Sequence, residues 1–220
     1  MPRPIGRIAQ VDHQATTRFT PPSSTVPKPS IVKPVQIHKS LGLKPPPTTK
    51  SGITTVNGIK ITILGDNIDN SIGDANTNLQ FKRGVQGYEY SGPKKIITKL
   101  VGPSPIIKAT IQTSYNSGAK PSDSSAYGRG TTTEDKRTGN ISLGFHESCH
   151  RSDYISYIKA HVPPVFSGKI GISEDQYKLA TENYFQAVDD YLAACLKFSE
   201  DQTDEVGSPT KTEYLAKHKR

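Results

Sequence analysis

The sequence predicts an α+β domain, strands first and two long helices after, preceded by a disordered leader. Three observations predict it. Residues 106–115, IIKATIQTSY, place Ile107, Ala109, Ile111 and Thr113 in alternation with Lys108, Thr110, Gln112 and Ser114, the period of a half-buried strand. Residues 53–64, ITTVNGIKITIL, set Asn57 and Gly58 between β-branched runs, a hairpin signal. Apolar residues at helical spacing then follow a capping pattern at Ser173 and Gln176.

The leader comes first in the chain. Residues 1–50 hold ten of the 17 prolines and little that would organise a core, so a disordered or polyproline-like segment is expected. They also carry eight Lys/Arg against one acid, Asp12, which accounts for +7 of the formal +8. The other 170 residues are close to neutral, with 20 basic and 19 acidic side chains. A basic folded domain would point to nucleic acid; a basic tail on a neutral domain does not point to a specific nucleic-acid partner. Such a tail serves as a soluble spacer, a tether, or a segment read by transport machinery. No run resembles an apolar signal-peptide core, and none is long enough to span a bilayer.

Order is expected from Ser51, in a domain over 51–210. After the hairpin, residues 65–81 are rich in Asn, Asp and Gly; Asp66, Asp69 and Asp74 lack the spacing of a calcium loop, and a polar turn is expected there. Further strands are expected over 94–101 and 106–115. The Gly/Ser/Pro segment at 116–130 reads as a mobile rim beside a cleft or as an idle surface loop.

The first long helix should start between Thr138 and Ser142 and run toward His161, where Pro163 and Pro164 stop it. Ile141, Phe145, Cys149 and Ser152 track one stripe, continued by Ile155 and Ile158. The second runs from Ser173 to about Ser199, with Glu174 and Asp175 at its positive end. Residues 211–220 are expected as a flexible basic tail. Cys149 and Cys195 can form one bridge, but each falls on an apolar helical face, where a packed free thiol is expected.

The first helix contains GFHESCHRSDY, residues 144–154. His146 and His150 stand one turn apart on one side of a helix, so both imidazoles can bind one zinc ion. Glu147 sits beside them. Zinc lowers the pKa of its bound water, and the carboxylate takes the proton as hydroxide attacks a carbonyl. The bland alternative is a pair of histidines satisfying hydrogen bonds in a small core.

The string HESCH resembles the zinc-binding motif of the zincin metallopeptidases, and HESCHRSDY, with Asp153 three residues past the second histidine, resembles a poorly characterised group of bacterial zinc proteases. The resemblance spans about residues 55–210. It implies a zincin-like fold, with a small, twisted, mostly antiparallel sheet packed on the motif helix, and a zinc-dependent peptidase with His146 and His150 as ligands and Glu147 as general base. A glycine and third histidine of the longer metzincin motif are replaced by Asp153 and Ser156, which leaves a carboxylate as third ligand. Glu182, 32 residues beyond His150 on the second helix, suits the zincins that take a glutamate there; Asp189, Asp153, Glu205 and His161 are the alternatives. Near the end of such sequences a Tyr-Asp followed by Thr and His-Gly is common; this chain has QTDEVGSPT at 202–210, in which only Asp204 matches.

Zinc alone leaves part of the developing charge exposed, so an oxyanion partner is expected. Tyr154, Tyr157, Tyr184, Tyr191 and His161 are candidates, although helical tyrosines usually pack their rings. Arg151 is expected on the solvated surface. The strand at 106–115 is the natural platform for a peptide if it lies at the sheet edge.

Two function classes follow: a zinc peptidase, and a non-catalytic interaction protein that uses the metal as a staple. A leader ahead of a small catalytic domain also suits a toxin or effector loaded into a bacterial secretion or contractile injection apparatus through residues 1–50, made in the bacterial cytoplasm and acting in another cell.

Overall fold

Asn57 and Gly58 both take positive φ, 48° and 78°, and close the predicted hairpin between β2 (Gly52–Val56) and β3 (Ile59–Ile63). Paired left-handed residues give a two-residue turn whose twist matches that of the strands. The structure is a computed structural model that describes residues 5–6 and 49–218. Apart from Ile5, Gly6, Thr49 and Lys50, the leader of residues 1–50 lies outside the described residues.

The architecture is α+β, with two small sheets and four α-helices among the described residues. In the larger sheet, β8 (Ile106–Tyr115) pairs parallel with β3 and with the short β4 (Asn67–Ile68), and antiparallel with β5 (Ala75–Gly84). The sheet is therefore mixed, where a mostly antiparallel one was expected. It also puts β8 between partners, so the strand that would have served as a peptide platform at a sheet edge is interior; β5 pairs only with β8 among the described residues. The smaller sheet has the order β1 (Ile5–Gly6), β6 (Gly87–Ser91), β7 (Ile96–Val101).

The segment expected as a polar turn holds β4 and the first seven residues of β5. In β5, Thr77, Leu79, Phe81 and Arg83 are buried, while Asn78, Gln80 and Lys82 are more exposed. The period is two, but polar Thr77 and Arg83 on the inner face conceal it. Arg83 is kept there by a bidentate pair with Asp189, so its charge is compensated.

α2 (Leu143–Ala160) and α3 (Glu174–Ser199) cover the inner face of this sheet. Ser142 caps α2 by accepting from the Phe145 amide, and Ser173 and Gln176 form the predicted capping box on α3. Ile61, Leu79, Ile111, Ile158 and Val188 meet between the layers with at most 1% exposure. Each such side chain contributes about 1.5–3 kcal/mol by leaving water. Cys149 and Cys195 are buried free thiols, both pushed up to about 12 by burial.

The first half of α2 departs from the expected apolar stripe. Its buried positions include His146 and Glu147. The sheet above them changes in step: the inner residues pass from Ile107, Ala109 and Ile111 to Thr113 and Tyr115, and Thr77 Oγ1 lies 2.8 Å from Thr113 Oγ1 and donates to the Glu147 carbonyl at 3.2 Å. One end of the interlayer space is thus an apolar core and the other is polar.

Two short helices flank that polar end. α1 (Thr133–Thr138) was not anticipated. Where a flexible tail was expected, α4 (Lys211–His218) forms, capped by reciprocal bonds between Thr210 and Glu213.

Candidate metal centre

One turn of α2 brings the Nε2 atoms of His146 and His150 to 3.2 Å from each other. Asp204 Oδ1 completes a triangle, 3.2 Å from each. Ligands held about 2.0–2.1 Å from a tetrahedral ion stand about 3.3 Å apart, so the triangle has the size of three corners of such a site. The three residues form a buried group that can hold a metal ion.

The outer nitrogens explain why these atoms converge. His146 Nδ1 lies 3.0 Å from the Arg129 carbonyl, which only accepts, so Nδ1 carries the proton and Nε2 of the neutral ring presents its lone pair. Ser125 Oγ is 3.3 Å from the same nitrogen. His150 Nδ1 lies 2.8 Å from Ser199 Oγ, which is 3.5 Å from Asp153 Oδ2; Thr203 donates to that same oxygen at 2.7 Å. Hydrogen bonding at the outer nitrogen fixes ring orientation in metal-binding histidines.

Asp204 arrives by an irregular route. α3 ends at Ser199 and widens into a π turn, Glu200–Asp204, which buries Thr203 and Asp204. Lys211 donates to Asp204 Oδ2 at 2.8 Å, while Oδ1 is buried and has no hydrogen-bond partner among the described residues. Its 3.2 Å contacts to the two Nε2 atoms call for a cation or a proton among the three atoms. Burial by itself would raise the Asp204 carboxyl, but His146, His150 and Lys211 together hold it well below the usual carboxylate range. Burial lowers His146, yet Asp204 and Glu147 outweigh it and leave the imidazole above its ordinary value.

Glu147 is 3% exposed, and its Oε2 has no hydrogen-bond partner among the described residues. An unpaired carboxylate oxygen costs several kcal/mol in a packed interior unless something compensates it. Glu147 is not in the ligand group, but its charge reaches His146. The donor set is two imidazoles and one carboxylate, which could hold an ion, with a second carboxylate alongside.

The wall opposite α2 comes from the 116–130 segment, expected as a mobile rim or an idle surface loop. Gly128 lies at φ 64°, and a Cβ there would meet Thr203 O at 2.3 Å, His146 Cε1 at 3.0 Å and Asp204 Cα at 3.1 Å. Its amide donates to Pro209 O at 3.0 Å, and the Arg129 amide to Thr203 O at 2.7 Å. Asp135, 1% exposed, accepts from the Arg129 guanidinium at 2.9 and 3.0 Å and from the Gly130 amide at 2.9 Å, fixing the carbonyl that faces His146.

The structure brings His146, Glu147 and His150 together as the motif spacing requires, and does not bring Glu182 to them. Ser199 is the α3 residue opposite His150; Glu182 lies 17 positions earlier and is exposed, about 25 Å back along the helix axis. Asp189 is occupied by Arg83, Glu205 accepts from Thr212, and the His161 ring stacks on Tyr157. Asp153 takes the supporting position behind His150. Arg151 is not solvated surface: it donates to Thr49 at 2.7 Å and to Thr113 at 2.9 Å. Tyr154 and Tyr191 spend their hydroxyls on the carbonyls of Thr77 and His161. Sequence reasoning missed Gly128, Asp135 and Lys211; the one available signal was the cluster Tyr-Gly-Arg-Gly-Thr at 127–131, turn chemistry in an otherwise bland loop.

No protein-family model matches the chain, and no curated protein or solved structure matches it.

Proposed function

We propose that the protein is a zinc-dependent peptidase in which His146, His150 and Asp204 hold the ion and Glu147 is the general base. One observation carries this reading: a 3.2 Å triangle of two imidazole nitrogens and a carboxylate oxygen, beside a buried carboxylate with an unpartnered oxygen. Zinc in such a site acidifies a coordinated water and polarises a carbonyl. Glu147 accepts the proton of the attacking water and returns it to the leaving amine. Two histidines and a carboxylate also hold iron(II) in oxygenases. Zinc hydrolysis is favoured here because Glu147 supplies a base that hydrolysis needs and oxygen activation does not.

An extended peptide is the substrate the sheet suits. Among the described residues β5 pairs with no strand but β8, and Thr77 on it contacts the Glu147 backbone. A strand edge accepts a peptide through its main-chain groups.

The test is Glu147→Gln. Hydrolysis of a denatured protein or peptide library should fall about 10²–10⁴-fold, the usual contribution of a positioned base, with one zinc per chain retained. Unchanged hydrolysis would reject the role of Glu147. A second reading, a metal staple without catalysis, is favoured by the 2% and 3% exposure of His146 and Asp204. On that reading chelation unfolds the domain and Glu147→Gln changes neither zinc content nor any activity.

A further inference from the structure

His146 and His150 turn the same atom, Nε2, toward Asp204, but they are held from behind in different ways. His146 Nδ1 faces the Arg129 carbonyl at 3.0 Å, an oxygen that only accepts, so the proton of that ring is fixed without further help. His150 Nδ1 faces the Ser199 hydroxyl at 2.8 Å. A hydroxyl donates or accepts, so the serine alone leaves open which nitrogen of His150 carries the proton. Donation by Ser199 would put that proton on Nε2, the atom that must offer a lone pair to an ion.

Asp153 removes the ambiguity. It lies on α2, three residues past His150, and its Oδ2 stands 3.5 Å from Ser199 Oγ. A carboxylate has only lone pairs to offer, so the serine proton turns to Asp153 and the serine lone pair to His150 Nδ1–H. The same Oδ2 accepts from Thr203 Oγ1 at 2.7 Å. Thr203 precedes Asp204 in the π turn, is fully buried, and accepts the Arg129 amide at its carbonyl at 2.7 Å, so it is pinned from two sides. One carboxylate oxygen on α2 therefore stands behind His150 through Ser199 and behind Asp204 through Thr203.

We propose that Asp153 is a positioning residue that fixes the His150 tautomer through Ser199 and the place of Asp204 through Thr203, so that one oxygen sets two of the three ligands. It touches neither ion nor substrate and transfers no proton. Hydrogen bonds behind metal ligands act in this way on ring orientation and ligand basicity. This inference rests on the reading of His146, His150 and Asp204 as the ligands, and not on peptidase activity.

The test measures zinc affinity in the full chain and its variants by competition with a chromophoric chelator. It also follows the proton NMR signal of His150 Nδ1–H after loading with cobalt(II) in place of zinc. Asp153→Ala should bind zinc about 10–100-fold more weakly. Asp153→Asn keeps an oxygen that accepts from both hydroxyls and should recover most of that loss. Ser199→Ala should weaken zinc binding and bring the His150 Nδ1–H signal into fast exchange with water; Thr203→Val should weaken zinc binding and leave that signal as it is in the native chain. Ser199→Ala added to Asp153→Ala should cost much less than it does alone, because the two residues act through one contact. Native zinc affinity in Asp153→Ala overturns the positioning role and leaves the ligands as read. So does a loss that Asp153→Asn fails to recover while the His150 signal is unchanged. Should Asp153→Ala fail to fold, native affinity in both Ser199→Ala and Thr203→Val overturns the role instead. A native chain that takes up no zinc overturns the ligand reading along with it.

Discussion

Lys211 donates to Oδ2 of Asp204 at 2.8 Å and so leaves Oδ1 turned toward the two histidines. The bond divides the carboxylate between two tasks. It neutralises part of a buried charge and prevents Asp204 from rotating into a bidentate arrangement. Lys211→Met should weaken zinc binding about 10–100-fold, the usual effect of removing a partner from behind a ligand, as read by competition with a chelator. Unaltered affinity would show that the π turn alone positions Asp204.

Gly128 provides a second test, because its two constraints can be separated. Gly58 has φ 78° with nothing within 4 Å of a built Cβ, whereas Gly128 has φ 64° and meets Thr203 O at 2.3 Å. Gly58→Ala should cost only the left-handed penalty, about 1–2 kcal/mol, by urea denaturation. Gly128→Ala should cost more and should lose zinc, since relief of the clash moves the segment that carries Asp204. Equal costs with zinc retained would contradict the close packing of this loop on the site.

Acid stability should depend on a residue far from the metal centre. Glu174, at the start of α3, is bonded by Lys95 at 2.9 Å, Lys178 at 3.1 Å and the Tyr88 hydroxyl at 3.2 Å. These partners, Lys95 first, pull its carboxyl down from 4.5 to about 2. A carboxyl with a lower pKa when folded stabilises the protein above its unfolded value, and that contribution disappears as pH falls from about 4.5 toward about 2. Glu174→Gln should therefore be less stable than the native chain at pH 6, with the difference shrinking by pH 3, in urea denaturation at both values. A constant difference would place the effect in packing and not in charge.

The legible parts of the molecule were those in which local chemistry and tertiary role agree. The Asn57-Gly58 hairpin, the alternating β8 and the Ser173 box on α3 each carry their signal within a few residues. The two histidines and Glu147 were legible for the same reason, since one helical turn fixes their relation. β5 was hidden because Thr77 and Arg83 face inward, Thr77 meeting Thr113 and the Glu147 backbone and Arg83 pairing with Asp189, a partner 106 residues away. The third ligand was misplaced as well. The resemblance to zincins that take a glutamate from a following helix favoured a carboxylate within α3, whereas the residue that reaches the histidines lies beyond its end, in a π turn. Gly128 and Asp135 act through contacts with segments distant in sequence or through a backbone carbonyl, neither of which a single chain reveals.

Zinc stoichiometry in three chains tests the central claim most directly. The native protein, Asp204→Ala and Glu182→Ala are each equilibrated at micromolar free zinc, freed of excess ion and analysed for metal by mass spectrometry. The native chain and Glu182→Ala should each hold one zinc per chain, and Asp204→Ala should hold almost none while remaining folded by circular dichroism. Full occupancy in a folded Asp204→Ala, or loss of zinc in Glu182→Ala, would contradict the His146, His150 and Asp204 site.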